Sequence, residues 1–191
     1  IFDKLGKPVR AIEVPMPRKA IIHDLQLCGD YVVIFYPPAY HDINKAMKGE
    51  DPFLWEPETP AKIIAIPRSG GDILWFETPA FFSWHFCNGF ERDGKLIIDY
   101  VWMKQIPFAK NMNSGLEKQT RNMHRMALDL KTKAVTDHKV GDIYCEFSRS
   151  DERLCGKPYQ YGFATASNRQ WADAHGYNGT VRYTMETGEH Q

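Results

Sequence analysis

Short runs of β-branched and aromatic residues, cut every few positions by glycine, proline or aspartate, fill most of this chain. Runs of that length between turn-forming residues read as antiparallel strands, and they commit the chain to an all-β fold class. The clearest strand segments are Ile21–Leu27, Tyr31–Tyr36, Ala61–Ile66, Ile73–Glu77, Phe82–Phe90, Lys95–Trp102, His124–Asp129, Ile143–Phe147 and Gln160–Thr165. Asp93-Gly94 lies between two apolar runs and is the strongest short-range hairpin signal in the chain. The stretch Leu128–Lys133 reads as another turn between antiparallel strands.

Two stretches interrupt this pattern. Pro37 to Pro60, rich in proline and carrying Ala46-Met47-Lys48-Gly49, is too long for a hairpin loop and is expected to hold a short helix capping one face. Lys104 to Asn122 is a second, polar excursion. Long loops on a strand scaffold are where binding surfaces and lids tend to sit. Both ends also read as open strand edges: Ile1–Asp3 enters a hairpin through Lys4–Lys7, and Thr180–Thr184 runs into a turn with no returning strand. Unpaired edges invite aggregation, so the expectation is a piece of a longer protein.

Length and charge narrow the possibilities further. The 191 residues, 43% of them hydrophobic, suffice for one ordinary core. Lysine plus arginine and aspartate plus glutamate number 24 each, so no long-range field draws the chain to nucleic acid or to an acidic membrane face. No apolar run approaches the ~20 residues needed to span a bilayer, although a greasy loop touching lipid stays open. Cys28, Cys87, Cys145 and Cys155 form no Cys-x-x-Cys pair, and no signal peptide opens the chain. They read as packed, reduced thiols in a cytoplasmic protein. Asn178-Gly179-Thr180 matches a glycosylation acceptor by chance in that setting.

Two histidines sit in strand-like, apolar surroundings: His23 in Ala20-Ile21-Ile22-His23-Asp24-Leu25, and His85 in Phe81-Phe82-Ser83-Trp84-His85-Phe86. A buried imidazole needs a partner for each ring nitrogen, and a metal ion is one of the few that makes the position useful. Strict alternation would set Phe82, Trp84 and Phe86 opposite His85, as packing. His23 and His85 are 62 residues apart, and Glu146 follows His85 by 61. Four strands with their loops fit that interval, as in one elaborated blade of a β-propeller. The first strand of each blade lines the axis of a propeller, so equivalent positions in successive blades face a common point. Glu146, flanked by Tyr144, Cys145 and Phe147, is expected to be buried with a partner. The remaining histidines, His41, His124, His138, His175 and His190, fall in loops or polar strand ends and are not expected to bind metal.

Four motifs in order resemble the carotenoid cleavage oxygenases, the family that includes the lignostilbene and resveratrol dioxygenases. Ile22-His23-Asp24-Leu25 with Tyr31-Val32-Val33 is similar to the family's His-Asp-Phe segment and the strand after it. Pro67-Arg68-Ser69-Gly70 with Trp75-Phe76 resembles its Pro-Arg-x-Gly and Trp-Phe segment. His85-Phe86-Cys87-Asn88-Gly89-Phe90-Glu91 is similar to His-x-x-Asn-Ala-x-Glu. Glu146-Phe147 and Gly156-Lys157-Pro158-Tyr159-Gln160-Tyr161 resemble Glu-Phe-Pro and Gly-Arg/Lys-Pro-Tyr-x-Tyr. Leu25, Gly89 and Ser148 depart from the family's phenylalanine, alanine and proline.

The resemblance implies a seven-bladed β-propeller, of which residues 1–191 would make about three blades, with Fe(II) on the axis held by four histidines. His23 and His85 match two of those ligands. Glu146 matches the carboxylate that accepts a hydrogen bond from the far nitrogen of His85. The other two histidines and two glutamates would lie outside this segment, so the 191 residues alone are expected neither to hold iron tightly nor to turn over. Glu91 reads as structural, and Asp24 and Asn88 as scaffolding for nearby turns. The implied reaction is oxidative cleavage of a conjugated carbon-carbon double bond by dioxygen, on a small apolar or phenolic alkene. Lys104–Phe108 leans toward stilbenoids over apocarotenoids, with phenol-recognising residues expected upstream. A propeller that only binds an apolar ligand, and a retinoid-isomerase-like reaction at the same iron, are the alternatives.

Overall fold

A computed structural model describes residues 1–107, 120–167 and 176–191. Three antiparallel sheets follow one another along the chain. The first is built from β1 (Gln26–Cys28), β2 (Tyr31–Tyr36), β5 (Ala61–Pro67) and β6 (Leu74–Thr78), in that spatial order. Between β2 and β5 the chain leaves the sheet as a small hairpin, β3 (Ala39–His41) and β4 (Phe53–Trp55), which encloses the helix α1 (Ile43–Met47). The second sheet is a meander of β7 (Phe86–Arg92), β8 (Lys95–Met103), β9 (Arg121–Asp129) and β10 (Val135–Lys139). The third comprises β11 (Tyr144–Arg149), β12 (Tyr161–Ser167) and β13 (Gly179–Thr184).

The turns follow their residue chemistry. Asp93 (φ 52°) and Gly94 (φ 70°) both adopt positive φ, as the two-residue turn joining β7 to β8 requires. At the β9–β10 turn the Asp129 side chain accepts from the backbone N–H of Lys131 and Thr132, and Lys133 takes the left-handed conformation. Asp42 caps α1 by accepting from the N–H groups of Asn44 and Lys45. The short helix expected between Pro37 and Pro60 is therefore present, but a paired ribbon carries it where a plain loop was expected.

Period-two alternation explains how the sheets stack. On β8, Leu96, Ile98 and Tyr100 face the first sheet, where they meet Cys28, Val33, Phe35, Ile63 and Phe76. Ile97 and Val101 point the other way and join Met123, Cys145, Ala164, Val181 and Tyr183 against the third sheet. The central sheet is thus apolar on both faces, and each fully buried Leu, Ile or Phe contributes roughly 1.5–3 kcal/mol. Asp99, on the third-sheet side, is the exception and is fully buried. Arg125 grips it with two hydrogen bonds of 2.8 and 3.0 Å, and the Tyr159 hydroxyl donates to it at 2.6 Å. The Gly-Lys-Pro-Tyr segment therefore closes the second sheet onto the third through a polar anchor.

The inner strands meet one another. β1 packs on β7 and β7 on β11, so closely that a Cβ on Gly89 would lie 2.9 Å from the Gln26 side chain and 3.1 Å from the Leu27 carbonyl oxygen. The family's alanine has no room here in this chain. Asn88, 1% exposed, ties the three sheets together. Its amide nitrogen donates to the carbonyls of Leu154 and Lys157, and its oxygen accepts from Gly156 N–H and Gln26.

Several expectations are corrected. His23 lies before β1 and His85 immediately before β7, so neither is within a strand. The strand β10, mostly exposed, has no apolar pattern to announce it. After β13 a returning segment does form: Arg182 and Gln191 exchange backbone hydrogen bonds, and Thr184 N–H donates to the Glu189 carbonyl. Of the excursion from Lys104, residues 108–119 lie outside the described residues, and Arg121 and Asn122 already belong to β9. His175 also lies outside the described residues.

All four cysteines are unpaired. Burial pushes the thiols of Cys28 and Cys87 up to about 12 and that of Cys145 up to about 11, while Cys155 is exposed. Alkylation of the folded protein at pH 8 followed by peptide mapping should mark Cys155 and spare the other three, because only a thiolate attacks. Labelling of Cys28, Cys87 or Cys145 at a comparable rate would contradict the packing described.

Candidate metal centre

The segments that lead into the inner strands bring the predicted residues together. The rings of His23 and His85 lie 5.1 Å apart between centroids and are inclined at 83°. His23 Nδ1 is 3.1 Å from the Trp84 carbonyl oxygen, and His85 Nδ1 is 2.5 Å from Glu146 Oε2. Both partners can only accept, so in each neutral imidazole the proton sits on Nδ1 and the lone pair on Nε2. Two imidazoles with centroids 5.1 Å apart, each with its Nε2 lone pair free of the proton, are close enough for one cation to serve both. Among the described residues no cluster of three or more histidine, cysteine, aspartate or glutamate side chains forms a metal cage.

Glu146 is the most informative member. It is 1% exposed, and its Oε2 accepts from both His85 and the N–H of Phe147. Its Oε1 takes no hydrogen bond among the described residues. His85 is the basic group within ion-pair distance of this buried carboxylate. A buried anion needs compensating charge; a divalent cation on the far nitrogen of His85 would supply it. That demand is a property of these side chains, and it fits the iron implied by the motifs.

Local backbone irregularity aims two of these groups, His85 and Glu146. The ladder of β7 slips between Phe86 and Asn88, just after His85, and that of β11 slips between Glu146 and Arg149. Such bulges redirect side chains at the ends of sheets. Phe147, inside the second bulge, has φ 53°, a conformation that costs a non-glycine residue about 1–3 kcal/mol. The scaffolding role expected of Asp24 is also seen: its carboxylate accepts from the N–H groups of Leu25 and Phe86, which ties the His23 segment to the start of β7. Glu91 is exposed and lies against Gly29, away from the imidazoles.

Two features of the site differ from the expected ones. His23 is exposed in this chain instead of buried, and the His85 side chain is 13% exposed, because both open onto the ends of the sheets and not into a sheet interface. Trp84 packs against Phe82, as expected, but the segment before β7 is irregular, so the indole also meets the His23 ring edge-on at 4.8 Å. Phe82 and Phe86 are packed, but in two different cores. Phe147, which drew no attention in the sequence beyond its place after Glu146, is 53% exposed and lies 4.8 Å from the His85 ring. Beyond it stands Tyr177 at 5.8 Å, whose hydroxyl accepts from Arg121 at 2.9 Å. His124 is occupied by Asp137 and stacked on Trp102, so it is not part of this centre.

The family described as retinal pigment epithelial membrane protein matches residues 1–191, the whole chain. The chain belongs to this family. The resemblance to carotenoid cleavage oxygenases read from the motifs is borne out by its relatives within that family. An isoeugenol monooxygenase from Pseudomonas nitroreducens is 26% identical over 171 residues, covering 85% of this chain and 36% of that protein. An apocarotenoid-15,15'-oxygenase from Synechocystis is 25% identical over 189 residues, covering 91% of this chain and 37% of that protein. The crystal structure of a Pseudomonas brassicacearum lignostilbene dioxygenase superposes with a TM-score of 0.87 at 27% identity, over 97% of this chain and 42% of that one. The chain thus spans little more than a third of the curated relatives it matches, and its all-β sheets follow the propeller-like fold of the family's solved structures.

Proposed function

We propose that the complete protein carrying this chain is a non-haem Fe(II) dioxygenase that cleaves a conjugated carbon-carbon double bond into two carbonyl products. The observation that carries this reading is the pairing of His23 and His85, each with Nδ1 committed to an acceptor, one of them to the buried Glu146. His23 and His85 would hold the iron through Nε2, and Glu146 would fix the tautomer and aim of His85. Two further histidines, from outside residues 1–191, would complete a set of neutral ligands that suits Fe(II) and leaves positions open. When bound, the iron supplies the activation of dioxygen. The three sheets would be three of seven blades around that axis.

The chain's own residues then serve to place the alkene. Phe147, 53% exposed, and Trp84 lie beside the two imidazoles and offer an aromatic wall for a flat conjugated substrate. The names of the relatives, an isoeugenol monooxygenase and a lignostilbene dioxygenase among them, favour an aryl alkene, with an apocarotenoid as the next choice. The segment Lys104–Phe108, which leaned the same way, ends in a residue outside those described. Four unpaired cysteines suit a reducing cytoplasmic setting, and no helix of the described residues is long and apolar enough to cross a membrane.

The test incubates the complete, iron-loaded protein with 4-hydroxystilbene and, in parallel, with an apocarotenal, following oxygen uptake and shortened aldehydes. The reading expects both signals with at least one substrate. An isomerised alkene without oxygen uptake would replace it with the isomerase alternative, and binding without turnover would reduce it to a ligand-binding propeller.

A further inference from the structure

We propose that Asp24 is a positioning residue of the metal centre, whose carboxylate fixes the separation of the His23 and His85 imidazoles and so sets how tightly the pair holds a divalent cation. The proposal deepens the functional reading above and rests on it for the two imidazoles as ligands. It assigns their spacing to a side chain that touches neither ring.

The argument begins with how little regular structure holds His23. Residues 21–25 belong to no strand, and β1 opens only at Gln26. Upstream, the segment is fastened to β3, where Ala20 bridges to Tyr40 and Ile21 N–H donates to the Ala39 carbonyl at 2.8 Å. Arg18 secures that end further: its backbone N–H donates to the Tyr36 hydroxyl, which donates back to the Arg18 carbonyl, and its guanidinium pairs with Glu56 at 2.8 Å. These contacts place His23 relative to the first sheet and its ribbon. They do not place it relative to His85, which leads into the second sheet.

Asp24 supplies that link. Its Oδ2 accepts from the backbone N–H of Phe86 at 3.2 Å, while its Oδ1 accepts from the N–H of Leu25 at 2.8 Å. Asp24 follows His23 and Phe86 follows His85, so the brace runs from the residue after one ligand to the residue after the other. The hydrogen bond from the His23 ring to the Trp84 carbonyl also crosses here, but it turns with the ring and fixes its aim. The Asp24 brace instead fixes the backbone beneath both rings, whose centroids lie 5.1 Å apart. It acts where the ladder of β7 is irregular, between Phe86 and Asn88. A metal site tolerates displacements of only about 0.5 Å, so a brace at this point governs affinity.

Hydrogen-bond polarity makes the carboxylate specific. Both partners are backbone N–H groups, which only donate, so both side-chain oxygens must accept. Asparagine has the same shape but offers one acceptor, and its NH₂ would face an N–H. One half of the brace is then lost without a change in size.

The test titrates cobalt(II) into the complete, metal-free protein and follows the visible d–d absorption, for the parent, Asp24→Asn and Asp129→Ala. Asp24→Asn is expected to bind cobalt(II) about 10–100-fold more weakly and to show a shifted spectrum at saturation. Asp129→Ala removes a carboxylate that likewise accepts two backbone N–H groups, at the β9–β10 turn, and is expected to keep the parent's affinity and spectrum. A merely structural loss would lower thermal stability in both variants and leave the saturated spectrum alone. Unchanged affinity and spectrum in Asp24→Asn, or an equal loss of affinity in Asp129→Ala, would overturn the proposal. Should Asp24→Asn not fold, hydrogen exchange in the parent decides: the Phe86 N–H is expected to be protected, and free exchange there would overturn the proposal as well. A parent that binds no cobalt(II) would overturn both the proposal and the reading beneath it. Weakened, spectrally altered binding in Asp24→Asn, with no aldehyde from the iron-loaded parent, would support Asp24 while contradicting the dioxygenase reading.

Discussion

Replacing His85 by alanine in the complete protein is expected to abolish the proposed double-bond cleavage and to strip the proposed iron, whereas Glu146→Gln is expected to retain part of both. The contrast follows from what each side chain does in the centre. His85 is one of two imidazoles whose rings lie 5.1 Å apart, and it would hold the metal through Nε2. Glu146 holds that ring by its other nitrogen at 2.5 Å, and glutamine keeps an acceptor oxygen there but removes the buried charge. Loss of such a supporting carboxylate costs about 10–100-fold in metal affinity or activity, and loss of the ligand itself costs more. Metal content by mass spectrometry and aldehyde yield, measured side by side, check the ordering. Full iron occupancy with normal turnover in His85→Ala would remove His85 from the centre altogether.

The largest effect on stability is expected at Arg125. Its guanidinium makes two hydrogen bonds to Asp99 and a longer contact of 3.3 Å to Glu186. Arg125→Met leaves the fully buried Asp99 carboxylate with Tyr159 as its remaining support, and breaking one partner out of a buried pair costs about 3–5 kcal/mol. Urea unfolding of the complete protein should register that loss. The double variant Asp99→Leu/Arg125→Met should recover much of it, because no charge is then left in the interface. Burial already pushes the Asp99 carboxyl above its usual range, and removal of the guanidinium pushes it further. A carboxyl raised in the folded state favours folding below its unfolded value, near 4, and the benefit is lost as the pH climbs through the folded value. The deficit of Arg125→Met should therefore narrow as the pH falls toward 4. A single variant within about 1 kcal/mol of the parent at neutral pH would show that the pair is not the anchor described.

What could be read from the residues, and what could not, divides along physical lines. The strands of the central sheets carry alternating apolar side chains and turn residues with fixed conformational demands, so Asp93-Gly94 and Leu128–Lys133 announced their hairpins. The bounds of β10, the strand expected after the second of these turns, could not be read, because an exposed outer strand needs no apolar face. The pairing of His85 with Glu146 was legible through motif and spacing, since His85 leads into β7 and Glu146 lies near the start of β11 in the neighbouring sheet. The surroundings of His23 and His85 were not, because the strand alternation assumed for them stops before β7. Trp84 consequently lies against His23, and Phe147 turns out toward the imidazole through a bulge that no local pattern betrays. The ring line to Tyr177 depends on three distant strand ends and has no sequence signature at all.

The account stands on the convergence of two imidazoles at one cation. Anomalous diffraction at the iron edge, on crystals of the complete iron-loaded protein, tests it directly. A single strong peak at bonding distance from Nε2 of both His23 and His85, with Nδ1 of His85 still on Glu146, is the predicted result. Iron bound elsewhere, or bound to one of these histidines with the other turned away, would contradict it.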